Sequence, residues 1–358
     1  MTNAALNEIA LHVADSALEF ARGTGGVQRA RAVRDNAPQF DTRIWAQIAE
    51  LGWLGVGVDE HHGGLGMDTG AACALLESVG RVLLPEPLVP AIAAARLLSE
   101  CNTDVAAGLL EPLVAGTRLC IPVRADNAET SAPLCLTHVP DAYPGAVLLV
   151  GAGAGDSFVI RAVDSTVAGV AASTDACVDG SILSTFHIQP AAWQASPMVA
   201  QGAAVQEAFA RAHDTMLFGY AAYLVGLMHE ALQLAIEYMK IRTQFGTPIG
   251  SFQALQHRAA SCHVDIVASR ALLYEASRCF DTPARARAAS AAKARASAAA
   301  LRVTKECVQF HGAIGFADEH DIGLYLRKAM TLAARYGGEM RQKLRFADLT
   351  AACPEGGN

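Results

Sequence analysis

Apolar positions recur every three to four residues through most of the chain. Ile9, Val13, Ala17 and Phe20 share one helical face, and Ile44, Ile48 and Leu51 repeat that spacing until Gly52 stops it. Gly52 to Asp68 is glycine-rich and predicts a connecting loop. Helical patterning resumes over Thr69–Leu84, where Pro85, Pro87 and Pro90 are expected to break it. From about Thr117 the period changes. Short runs rich in β-branched and apolar residues (Arg118–Val123, Leu134–Val139, Ala146–Val150, Phe158–Val163 and Ile182–Ile188) alternate with Gly, Pro, Asp and Ser, which predicts a small antiparallel sheet domain or barrel. Past Pro197 long helices return. Leu217, Ala221, Leu224, Leu227, Leu232 and Ile236 mark a stripe within Ala203–Arg242. Phe252–Cys279 and Ala284–Phe310 follow, the latter dominated by alanine, the best helix former. The pattern divides the chain into a helical domain over 1–116, a β domain over 117–200 and a helical bundle over 201–358, with no internal repeat.

Composition narrows the functional classes. Hydrophobic residues make up 52% of the 358 positions and charged ones 18%, which excludes a disordered chain. The balance of 28 Lys+Arg against 35 Asp+Glu leaves a net charge of −7, with no basic footprint for nucleic acid. Nine cysteines, scattered from Cys73 to Cys353 without a C-x-x-C pair, predict reduced thiols. The acidic N-terminal segment does not look like a signal peptide, and no apolar run reaches the roughly 20 residues of a membrane span. These features predict a cytoplasmic protein with no membrane partner.

Most sequence features that suggest chemistry have ordinary structural readings. Gly151-Ala-Gly153-Ala-Gly155 is followed by another β-like run instead of a helix, so it predicts a turn and not a dinucleotide fingerprint. Gly63-Gly64-Leu65-Gly66 is a turn of the same kind. Adjacent His61 and His62 lack any zinc spacing. Arg285, Arg287, Lys293, Arg295, Arg302 and Lys305 predict a solvated helix face or subunit contact ahead of an anion site.

Two segments stand apart. One runs from Tyr238 through Arg242-Thr-Gln-Phe245-Gly246-Thr-Pro248-Ile249-Gly-Ser-Phe252-Gln253-Ala-Leu-Gln256-His257. It ends a long helix and passes through a Gly-Pro turn into another, placing Arg242 beside a compact aromatic loop where a guanidinium can pair with a pyrophosphate. The other is Gln309-Phe-His311-Gly312-Ala313-Ile-Gly315-Phe316, where an amide side chain adjoins glycines that admit close backbone approach to a flat ring.

Together these segments resemble the acyl-CoA dehydrogenase family. R-x-x-F-G-x-P-I-x-x-F-Q-x-x-Q-H is its signature and Q-x-x-G-x-x-G its downstream companion. Leu51-Gly-Trp53-Leu-Gly55 with Gly63-Gly-Leu-Gly66 looks like the family's N-terminal loop, and the likeness runs from about residue 5 to 350. It implies an α+β fold with an N-terminal helical domain, a central antiparallel β-barrel and a C-terminal four-helix bundle. It also implies FAD, an acyl-CoA substrate, an electron-transfer partner and an oligomer in which the flavin lies across a subunit interface. By that likeness Arg242, Phe245, Ile249, Phe252, Gln309, Gly312 and Ala313 (glycine in the family) reach the ADP half of a neighbour's FAD.

The resemblance fails where catalysis is expected. Members of the family remove the α-proton of the thioester with a glutamate while the β-hydrogen leaves as hydride to the flavin. Aligning on Tyr336-Gly337-Gly338-Glu339 puts glycine at the base. The alternative family position, on the long helix, aligns to Met216, and the arginine after it to Leu217. Glu339 and Asp214 each lie two residues away. On a helix that offset turns a side chain by roughly 200°, so Asp214 is expected to face elsewhere. The family's Thr-Glu-Pro and Trp-Ile-Thr elements, which hold the flavin ring, have no clear counterpart between Cys120 and Ala152, where Arg124-Ala-Asp126 stands. The catalytic residue is therefore unassigned. Three readings stay open: the non-catalytic subunit of an α2β2 dehydrogenase, a self-sufficient homo-oligomer using Glu339 or another base, and a flavin-free acyl-CoA-binding scaffold.

Overall fold

A computed structural model describes residues 3–36, 40–125 and 132–351. Helices α1 (Asn3–Gly23), α2 (Val27–Asp35), α3 (Thr42–Glu50), α4 (Thr69–Arg81), α5 (Leu88–Glu100) and α6 (Asp104–Val114) come first. Strands β1 (Cys120–Arg124), β2 (Leu134–Pro140), β3 (Val147–Ala152), β4 (Val159–Asp164), β5 (Val170–Ala176) and β6 (Ile182–Ile188) follow, then α7 (Pro190–Ala195) and β7 (Met198–Gln201). The chain continues through α8 (Ala203–Ile241), the two-residue strands β8 (Thr243–Gln244) and β9 (Thr247–Pro248), α9 (Gln253–Arg278), α10 (Arg285–His311), α11 (Ile322–Ala334) and α12 (Glu339–Ala351). The order is helices, sheets, helices, as the periodicity predicts.

These elements cluster into two compact units. One comprises 1–32, 69–84 and 217–358; the other comprises 33–68 and 85–216. In the first, α10 is the central helix, packed by α9, α11 and α12. Its buried positions are mostly small, among them Ala289, Ala292, Ala296, Ala299, Ala300 and Ser297, so three neighbours approach one backbone closely. Helix α4 meets α8 in the same way. A Cβ on Gly80 would run into the Tyr223 carbonyl, and one on Gly226 into that of Glu77.

The second unit corrects two expectations. The expected antiparallel barrel is not closed. A four-stranded sheet ordered β1-β3-β4-β7 and a three-stranded sheet ordered β2-β6-β5 stand apart in hydrogen bonding among the described residues. Strands β1 and β3 run parallel, Cys120 opposite Val147 through Arg124 opposite Gly151. Strand β2 lies between them in sequence but joins the other sheet, so the return is a crossover and not a hairpin. Strand β5 has Val170 as its one large apolar residue and is otherwise small and exposed, and β7 is four residues long, so neither gives a period-two signal. Prolines 85, 87 and 90 do not end the helical region either. Pro87 precedes α5 and Pro90 lies in its first turn, where the missing N–H has no intrahelical partner to lose.

Candidate functional site

The first signature segment begins where α8 runs out. The Arg242 N–H donates to the Tyr238 carbonyl (2.9 Å), closing the last turn, and the Ile249 N–H donates to the Arg242 carbonyl (2.8 Å). Between them β8 and β9 form a minimal hairpin with Phe245 and Gly246 at its tip, at φ +53° and +80°. Two positive φ values suit the tight turns that match strand twist. Glycine adopts them freely, but a bulky aromatic at positive φ is an outlier. Phe245 is 92% exposed, with Phe252 edge-on at 6.2 Å. The Arg242 side chain is exposed too, and among the described residues its guanidinium takes no hydrogen-bond or ion-pair partner.

The second segment closes α10. The Gly312 N–H donates to the Gln309 carbonyl, and Gly312 sits at φ +63°, ψ −139°, a conformation open to glycine. A Cβ there would meet nothing within 4 Å, so backbone conformation and not crowding requires the glycine. Gln309 and Ala313 are exposed, as are Ile314 and Phe316. The two segments meet through their helices. The His311 ring is buried between Tyr238 of α8, stacked at 4.6 Å and 28°, and His320, 4.4 Å away. Burial pushes the His311 imidazole below the ordinary histidine value. The sequence reading named neither ring as functional. The available signal was an aromatic one turn before Arg242 together with a histidine inside the second motif.

An unpaired guanidinium, exposed aromatic faces, a free amide and open room beside a glycine fit a diphosphate and a planar base, so these residues suit the ADP half of FAD. The flavin-ring half does not fit. At the end of β1 the Arg124 guanidinium donates to the Gly153 carbonyl (2.6 Å) and lies 5.0 Å from the Phe158 ring centre, where the resemblance implies a hydroxyl. All three tryptophans of the chain, Trp45, Trp53 and Trp193, are buried in the core, leaving none to face a ring. Asp126 lies outside the described residues, as does Cys353.

Neither family position for the base holds an acid. Met216 and Leu217 are buried in α8. Gly337 takes φ +93°, and a Cβ there would crowd the Arg341 side chain (2.7 Å to Cδ). Glu339 opens helix α12. Its carboxylate accepts from Lys343 Nζ at 2.5 Å, and its side chain is 44% exposed. Asp214 is fully buried beside His213, whose Nδ1 is 3.9 Å from its carboxylate.

The remaining sequence features have structural roles. The basic residues of α10 do not form one solvated face. Lys293 points inward, fully buried, and donates to Ser297 Oγ and to the Leu332 and Ala333 carbonyls. Arg295 and Arg302 close on Asp265 of α9. Gly151 packs under Phe158 and Phe209, and Gly153 and Gly155 turn the chain at positive φ. His61 and His62 stand in a short helical turn, and no cluster of metal-binding side chains occurs among the described residues. No described helix is long and apolar enough to cross a membrane.

Comparison with known proteins identifies the family. The model of the acyl-CoA dehydrogenase N-terminal domain matches residues 8–117, and that of the C-terminal domain matches residues 209–344. Acyl-CoA dehydrogenase FadE34 of Mycobacterium tuberculosis is 30% identical over 357 residues, covering 94% of this chain and 48% of FadE34. The chain thus spans about half the length of that relative. Acyl-CoA dehydrogenase IpdE2 of Mycolicibacterium smegmatis is 30% identical over 317 residues, 88% of this chain and 90% of IpdE2. Among solved structures, the Tcur3481-Tcur3483 steroid ACAD superposes with a TM-score of 0.86 at 28% identity, covering 97% of this chain and 99% of that one.

Proposed function

The chain belongs to the acyl-CoA dehydrogenase family, whose members bind FAD, and on that premise we propose that it is the subunit holding the ADP half of a FAD whose ring and catalytic base lie in a homologous partner. The observation that carries this reading is the division of the site. The signature residues for ADP are present, Arg242, Phe245, Phe252, Gln309 and Ala313 exposed and Ile249 and Gly312 half-buried, with the Arg242 guanidinium unpaired among the described residues, while glycine at positive φ and a buried methionine occupy the two positions for the base. Phe245 at 92% exposure, with Ile241 and Phe316 each at 77%, sets large apolar side chains in water in and beside the two segments, which supports a covering chain.

The complex is an α2β2 dehydrogenase that desaturates an acyl-CoA thioester between Cα and Cβ and passes electrons to an electron-transfer partner. Bound FAD supplies the hydride acceptor. This chain's own residues bind and orient. Arg242 would neutralise the diphosphate, the faces of Phe245 and Phe252 and the Ile249 side chain would receive the adenine, and Gln309 with the Gly312–Ala313 backbone would hydrogen-bond its polar groups. The partner contributes the base and the thioester pocket. The likeness to a steroid ACAD supports a bulky acyl group. Eight described cysteines, all free thiols, support a reducing, cytoplasmic location. Glu339, helical and held by Lys343, lends little support to a self-sufficient enzyme.

The test is the visible spectrum and native mass of the chain purified alone and after co-expression with a homologous dehydrogenase chain. The expected result is a colourless preparation alone, and a yellow α2β2 complex with half as many FAD as chains, depleted of FAD by Arg242→Ala. A yellow homo-oligomer that bleaches with acyl-CoA when purified alone would overturn the proposal.

A further inference from the structure

His311 is neither exposed nor placed to touch a ligand, yet it sits inside the second signature and carries the contact between the two segments. Its Nδ1 lies 2.7 Å from the Cys307 carbonyl. A carbonyl only accepts, so Nδ1 bears the hydrogen and the neutral ring leaves Nε2 bare. His320 takes the opposite tautomer, because its Nδ1 accepts the Ile322 N–H (3.1 Å) at the start of α11. The His311 ring stacks on Tyr238, whose carbonyl receives the N–H of Arg242. One neutral ring thus fixes the distance between the end of α8, which carries Arg242, and the end of α10, which carries Gln309 and Gly312.

We infer that His311 is a positioning residue for the ADP cradle, a neutral spacer whose protonation in acid loosens the grip on FAD; this rests on the proposed function above. A second proton would go to Nε2, inside a site where the ring is 3% exposed. Among the described residues no carboxylate faces that charge; the Cys307 carbonyl and the Tyr238 ring face are the groups that favour it. From α8 it meets the Tyr238 ring, and from the segment before α11 it meets His320, a group of the same charge sign when protonated. On the α9 side, Arg258 is engaged by Glu306 and lies over Phe310. The acids of the segment that carries His320 are held by cations, Asp321 by Arg31 and Asp318 by Arg327. Burial and His320 both lower the imidazole's proton affinity, while the Cys307 carbonyl raises it and ranks between them. The His311 ring therefore stays neutral at pH 7, and it gains a charge only below the ordinary histidine value of 6.5.

The test measures FAD retained after gel filtration, by visible absorbance, in whichever oligomer carries FAD, between about pH 7.5 and pH 5. Wild type is expected to lose FAD as the pH falls. His311→Phe, which keeps a stacking ring without a titrating nitrogen, is expected to keep FAD across the range. His311→Ala is expected to bind FAD at least tenfold more weakly at pH 7.5 with unchanged native mass. Equal acid loss from wild type and His311→Phe, or unweakened binding by His311→Ala, would overturn the inference. Arg242→Ala separates the two claims. If it too binds FAD normally, or if no oligomer carries FAD, the reading of the site itself has failed.

Discussion

At Gly337 a single residue argues against restoring the missing base by substitution. Its φ of +93° lies where side chains are rarely tolerated, and a Cβ would press on Arg341. The neighbouring turn is held from several sides. Gln342 Nε2 donates to the Tyr336 carbonyl (2.7 Å), Tyr336 stacks on Tyr220, and the Arg335 guanidinium donates to the Tyr220 hydroxyl. Gly337→Glu should therefore destabilise the chain by roughly 1–3 kcal/mol, through backbone strain. It should add no dehydrogenation to the isolated protein. Thermal melting and turnover with an acyl-CoA read both outcomes, and a variant that melts like wild type while gaining activity contradicts the account. The motif around Gly337 was legible in sequence, but the conformation that reserves the position for glycine was not.

At the scale of elements, helix packing decides what propensity alone would get wrong. Alanine favours a helix over glycine by about 1 kcal/mol, so propensity predicts stabilisation by Gly226→Ala in α8. The added Cβ meets the Glu77 carbonyl of α4, and overpacking costs about 1–3 kcal/mol, so packing wins. Gly108 in α6 is the control. It is exposed, a Cβ there meets nothing within 4 Å, and Gly108→Ala should raise stability by up to about 1 kcal/mol. Opposite shifts in denaturant midpoint would confirm the pair; shifts of the same sign would refute the packing argument. The long helices were readable from their apolar stripes. Helix α5 was hidden by its prolines and β5 by its small, exposed side chains, because both take their place from neighbours.

At the scale of the whole molecule, Lys293 links the fold to pH. It is fully buried in α10, its ammonium set against the last carbonyls of α11, and burial pushes its pKa down from 10.5 to about 7, with Arg335 adding repulsion. The folded chain then binds fewer protons at this site than the unfolded chain between pH 7 and 10.5, so its contribution to stability rises with pH across that window. The stability of wild type relative to Lys293→Met should accordingly climb from pH 7 toward pH 10 and stay level below pH 7. Denaturant melts of both proteins over that range measure it, and a constant difference would show that the ammonium is not desolvated. The sequence pointed to a solvated basic face here, because charge spacing along a helix does not reveal that α11 ends against it.

By itself the sequence determined the order of helices, sheets and helices, the family, the two signature segments and the absence of a carboxylate at both expected base positions. These are carried by local periodicity and by residues close together in the chain. Only the tertiary structure decided that the β strands form two sheets with a parallel pair, that the tryptophans are buried in the core, and that Glu339 is helical and paired with lysine. It alone joined Tyr238 to His311 across 73 residues of sequence, counted as 311 − 238. Such contacts depend on which faces of distant elements meet, and that is set by packing and hydrogen-bond satisfaction over the whole chain.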